Sequence, residues 1–151
     1  MMTGPSPDCA AGIPLSPFGM IWQARQREGG APVLPFCEAC NEWIWPAQSF
    51  CPGCLGETLA WRETSGRGRL LAAVALHRGM APDGGWPSGW TVGLVVLEEG
   101  PCVWSHLGRQ ETPAADGTLR IAVSRDRRGR LVLVAASDSE KLEEVSASLA
   151  G

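Results

Sequence analysis

No stretch of the 151 residues is apolar for long enough to cross a bilayer, and residues 1–15 lack both a cationic start and an apolar core of the secretory kind. The expectation is a soluble, cytoplasmic protein whose first fifteen residues are a flexible lead-in. Positive charge is also scarce, with 13 Lys and Arg against 16 Asp and Glu, a formal net charge of −3. A dedicated nucleic-acid binder needs a cation surplus for its phosphate contacts, so that class is disfavoured, and no membrane or nucleic-acid partner is expected. No phosphate loop, GxSxG elbow or HExxH pair is present. Disorder is excluded by 44% hydrophobic residues, and an ordinary helical bundle is disfavoured by 19 Gly and 12 Pro.

Cysteine is where the sequence becomes informative. Four of the six fall into two C-x-x-C units, Cys37-Glu-Ala-Cys40 and Cys51-Pro-Gly-Cys54, separated by ten residues. Each unit presents two thiolates on one side of a tight knuckle, so two knuckles close a tetrahedral four-sulfur cage. Zn2+ is the expected ion, and it is structural because four thiolates leave no position open for water. Iron in a rubredoxin-like redox centre is the runner-up, since geometry alone does not separate the two. Asn41 is suited to a left-handed φ after the first pair, and Gly56 frees the backbone after the second. Glu42 to Pro46 reads as a hairpin arm with Trp43 and Trp45 on one face.

Around this module the chain divides into five segments: the lead-in over 1–15, a helix and linker over 16–34, a zinc ribbon over 35–57, a barrel over 58–136 and a helical tail over 137–151. Ser16-Pro17 starts the first helix and Gly29-Gly30 stops it. Its Phe18, Ile21 and Trp22 share one face, which must dock onto something: its own domain is the plainer reading, and a partner surface the sharper one. Five short β-type runs follow, Leu70 to His77, Trp90 to Leu97, Val103 to Leu107, Leu119 to Ser124 and Leu131 to Ala135, each bounded by Gly, Pro or Asp. With no long helix between them they predict a small Greek-key barrel in a mainly β protein. Ser137 with Glu140 reads as a capping box for the tail, whose Leu142, Val145 and Leu149 line one face.

No catalytic set emerges. Cys102 and His106 sit on one strand about 13 Å apart, far beyond a dyad. Cys102 is expected to be a small core residue, Cys9 a mobile thiol, and His77 and His106 strand histidines with satisfied rings. Twelve of the thirteen cations are arginine, and Arg120, Arg125, Arg127, Arg128 and Arg130 crowd into the last two strands and their turn. Guanidinium forks suit phosphates, so Arg125, Arg127 and Arg128 are candidates for a nucleotide-like cofactor tail or nucleic acid, with a solvated turn as the plainer reading.

Taken in order, Pro35-Phe36-Cys37-Glu-Ala-Cys40, Trp45-Pro46, Cys51-Pro-Gly-Cys54, Leu59-Ala-Trp61, Thr64-Ser-Gly-Arg-Gly68 and Val92-Gly-Leu-Val-Val-Leu-Glu-Glu-Gly100 resemble a known family. It is the small OB-fold proteins with an N-terminal rubredoxin-like zinc ribbon, catalogued as domain of unknown function 35 and called acyl-CoA-associated. The resemblance runs from about Phe18 to Leu107. It implies a five-stranded OB-fold barrel and a non-catalytic accessory subunit in a hetero-oligomer with a thiolase-superfamily enzyme: a thiolase, an acyltransferase or an aldolase. Some members accompany CoA-thioester hydratases. On this reading Phe18, Ile21, Trp22, Trp86 and Trp90 become docking candidates, and any contact is with CoA bound to the partner. The sequence departs from the pattern at Ala47-Gln48, at Ile121-Ala-Val-Ser124, and in the helical tail after Ala136. The competing classes are a nucleic-acid-binding OB-fold protein, a rubredoxin-like iron electron carrier and a stand-alone CoA-dependent enzyme.

Overall fold

Ser16 caps the first helix as its sequence predicts, its side chain accepting from the Gly19 N–H at 3.1 Å. The structure is a computed structural model that describes residues 16–76, 89–109 and 117–150. Helix α1 (Pro17–Arg25) ends four residues before Gly29. Gly29 and Gly30 instead lie along the barrel, with Gly29 N–H donating to Val123 O and Val123 N–H to Gly30 O, both at 2.8 Å. A pair that reads as a helix stop thus docks the linker onto a strand.

The ribbon sheet has the order β2-β1-β3, from β1 (Val33–Cys37), β2 (Glu42–Trp43) and β3 (Leu59–Glu63). It reaches Glu63, past the boundary expected at 57, because Leu59 to Glu63 pairs residue by residue with β1. Five strands then close a barrel: β4 (Arg67–Leu76), β5 (Trp90–Leu97), β6 (Cys102–Gly108), β7 (Thr118–Arg125) and β8 (Leu131–Ala136). Their order β4-β5-β6-β8-β7 returns to β4, and only β6 and β8 run parallel. This is the Greek-key order of an OB-fold. A bulge between Leu70 and Ala72 bends β4 so that its start pairs with β7 and its length with β5.

The barrel interior is filled by Leu70, Val95, Val103, Leu107, Leu119, Ile121, Val123 and Leu133. The same cluster continues through Trp22 of α1 to Leu34 of the ribbon, with Trp43, Trp45 and Trp61 packed against it. Ribbon and barrel therefore share one core. The motif Thr64 to Gly68 is the joint: Thr64 N–H and Oγ1 both donate to Pro32 O at 2.9 Å, and Ser65 N–H donates to the Glu99 carboxylate. Gly66 holds φ +71° there, and a Cβ would press on Ala31 and the Ile121 carbonyl.

Two glutamines, Gln23 of α1 and Gln26 at its C-cap, complete the weld. Gln26 donates to Val33 O and accepts from Val33 N–H, both at 2.8 Å, while Gln23 does the same to Leu131 at 2.6 and 2.8 Å. Each amide imitates a neighbouring strand, one toward the ribbon and one toward the barrel. Gln26→Leu leaves a half-buried donor and acceptor without partners, so it should lower the unfolding free energy by about 1–3 kcal/mol. A urea midpoint equal to that of the wild type would show that the amide contributes nothing.

Outside the barrel, α2 (Ser139–Ala150) lays Val145 and Leu149 over Trp90 and Val134 in a second cluster, with Leu142 at its edge. Its cap is Asp138, whose carboxylate accepts from Lys141 N–H at 2.8 Å, one residue later than the Ser137 capping box expected. The side chain that reaches the exposed N–H wins, and Ser137 Oγ faces Asp138 and Lys141 instead.

Candidate metal centre

The first knuckle is the turn from β1 to β2, and the second lies in the loop before β3. Asn41 holds φ 58° as predicted; its counterpart after the second pair is Leu55 at φ 60°, not Gly56. Cys40 N–H points at Cys37 Sγ at 3.4 Å and Gly53 N–H at Cys51 Sγ at 3.3 Å, so backbone dipoles face the sulfurs. Cys37 and Cys51 are buried with Ile44, Cys40 is half-buried and Cys54 is exposed.

All four sulfurs lie within 4.8 Å of one another, with Cys37 to Cys54 at 3.7 Å and Cys40 to Cys51 at 3.8 Å. A tetrahedron with metal–sulfur bonds of about 2.3 Å has edges of about 3.8 Å, whereas a disulfide brings its sulfurs to about 2.05 Å. The donors fit a four-thiolate metal site. Thiol hydrogen bonds with Cys54 and Cys51, aided by burial, push Cys40 up to about 12. The Cys54 and Gly53 N–H groups draw Cys51 down to about 7 against its own burial. Four thiolates so close together need a cation to hold them all deprotonated, which a bound metal supplies.

Residues 33–60 match the ChsH2 rubredoxin-like zinc ribbon domain. No curated protein matches the sequence. Among solved structures the fold is similar to a chain of an Ltp2–ChsH2 (DUF35) aldolase, with a TM-score of 0.67 and 20% identity, covering 82% of this chain and 96% of that one. The ChsH2-like match thus spans β1, both knuckles and the start of β3, and the fold likeness extends through the barrel.

The remaining sequence candidates are dispersed. Trp22 is buried against Trp45, edge to face at 6.4 Å, and Trp90 is buried beneath α2, so neither presents a docking face; Phe18 and Ile21 stay exposed. Trp86, His77 and Cys9 lie outside the described residues. Cys102 is exposed, not a core residue, because β6 alternates and sends Val103, Ser105 and Leu107 inward. In the arginine cluster, Arg125 is engaged by Glu28 at 3.0 Å and by Gly129 O, pinning the turn to the linker. Arg127 and Arg128 are exposed at the tip of that turn. No helix among the described residues is long and apolar enough to cross a membrane.

His106 Nδ1 accepts the Trp90 indole N–H at 3.0 Å, which puts the imidazole proton on Nε2. Burial lowers its pKa from 6.5 to about 4, opposed by the charge of Asp126. The unfolded chain binds this proton first, so stability is full above pH ~6.5 and falls as the pH drops toward about 4, by up to about 3 kcal/mol. His106→Asn should flatten that slope in urea titrations between pH 7 and 4; an unchanged slope would assign it to other groups. What the sequence did not reveal is the pair of Gln clamps, Leu55 at the second knuckle, and an apolar outer face on β4 to β6. Only the last has a signal, in the alternation of β6.

Proposed function

We propose that this chain is a non-catalytic accessory subunit of a cytoplasmic, CoA-thioester-processing complex, bound to a thiolase-superfamily enzyme and supporting its assembly and substrate handling. The observation that carries the reading is the welding of a ChsH2-like ribbon to an OB-type barrel through one core, in a fold similar to that of a chain of a solved Ltp2–ChsH2 (DUF35) aldolase. Cys37, Cys40, Cys51 and Cys54 hold Zn2+ as a structural staple. A welded, metal-stapled scaffold suits a subunit that offers surfaces rather than reacting groups. Its His106 is committed to Trp90, and the chemistry belongs to the partner. Phe18 and Ile21 give α1 an apolar edge in the assembly, and Arg127 and Arg128 are candidates for reaching the phosphates of CoA bound to the partner.

The test is recovery of the tagged chain from its native host at low salt, with mass spectrometric identification and metal analysis of the eluate. A thiolase-superfamily enzyme in near-equal amount, with one zinc per chain, is the expected result. RNA or DNA, or the chain alone with iron, would overturn the reading.

A further inference from the structure

The outer surface of the barrel is apolar well beyond the part that α2 covers. Strand register places Ala72, Leu94 and Trp104 in one row and Val74, Val92 and His106 in the next. Helix α2 shields the outer side of β8 and Val92, Ala122 and Val132 with it. On β4 and β6, which flank β5, Leu71, Val74 and Trp104 are 55%, 50% and 60% exposed. Leu71, Val74 and Trp104 lie on a footprint of roughly 300 Å², from three strands at ~4.8 Å spacing over about seven residues, and exposed apolar side chains gathered on one face mark an interaction site.

The charge at one end of this face points to its occupant. Arg67 of β4 stands directly opposite Arg120 of β7, and both are exposed. Like charges opposite one another across a strand pair are unfavourable. Neither guanidinium has an ion-pair partner among the described residues. Glu98 approaches only through its backbone, donating its N–H to Arg67 O at 3.0 Å. An apolar centre with two cations at its border is complementary to an apolar surface edged by carboxylates.

We propose that the outer face of β4, β5 and β6, with Arg67 and Arg120 at its edge, docks the partner enzyme through an apolar patch of that enzyme flanked by Asp or Glu side chains. This rests on the accessory-subunit reading above and adds the surface and its chemistry. Trp104 is the central anchor, the residue type that most often dominates such interfaces.

The experiment uses the full chain with the thiolase-superfamily partner identified in the native pull-down, by biolayer interferometry at several salt concentrations. Trp104→Ser, and separately Arg67→Glu with Arg120→Glu, should each weaken binding roughly ten-fold or more, with unchanged melting of the chain itself. The arginine variant should also lose most of the salt dependence of the wild type. Wild-type affinity in both variants would overturn the proposal while leaving the accessory role intact, and failure of the wild type to retain any such enzyme would overturn both. Concentration-dependent dimers of the purified chain that Trp104→Ser abolishes would assign the face to a second copy, which also overturns it.

Discussion

Cys51→Ser should abolish stoichiometric metal binding and lower the thermal midpoint of the whole chain, barrel included. Cys51 is buried beside Cys37 and Ile44, and its sulfur is 3.8 Å from Cys40, so the substitution removes a ligand and disturbs the small cluster that seats the knuckles. Structural zinc contributes about 10–16 kcal/mol of apparent binding free energy in isolated finger peptides, and that binding energy is folding energy. A ribbon of three short strands has little else to hold it. The loss does not stay local, because Leu34 and Trp22 belong to the same core as Leu70 and Leu133. Metal analysis with calorimetry checks both halves: a variant that keeps one metal per chain, or melts like the wild type, would refute the structural role.

Trp22→Ala carries the next largest effect. Its indole fills the junction of α1, ribbon and barrel against Trp45, and truncation of a buried aromatic costs about 3–5 kcal/mol. We expect the denaturant midpoint to fall by that equivalent, with weaker partner binding only as a consequence of the lost fold. Phe18→Ser and Ile21→Ser on the same helix should stay within about 0.5 kcal/mol, since both side chains are already exposed. If Trp22→Ala left stability unchanged and weakened assembly alone, the residue would be a docking contact and the shared core would be misassigned.

These two expectations separate what one helix face conceals. From the sequence, Phe18, Ile21 and Trp22 form a single apolar face, and spacing gives no reason to divide it. In the structure the stripe is narrower, and Trp22 alone turns into the junction. The same difficulty recurs at Gly29-Gly30. Two glycines end a helix or lie flat against a strand equally well, and only the strand beside them decides. The ribbon boundary at Glu63 was hidden because β3 pairs with β1 across more than twenty residues, and no change of composition marks a long-range pairing.

Other features were legible because they depend on local chemistry. Two C-x-x-C units specify a sulfur cage whatever surrounds them, since the knuckle is closed by its own backbone N–H groups. The five barrel strands agree with their sequence runs to within a few residues, because β-branched runs between Gly, Pro and Asp have few other conformations available. The start of α1 follows from one serine and one proline. Legible from the residue order, then, were the four clustered cysteines, the five barrel strands and the mainly β class, all of which rest on neighbours along the chain. The tertiary structure alone decided that ribbon and barrel are one body, that Ser65 meets Glu99, that Trp22 and Trp90 are interior, and that Trp104 stands exposed beside an Arg67–Arg120 edge. Each of these is a contact between distant segments, and its energy does not exist until the barrel has closed.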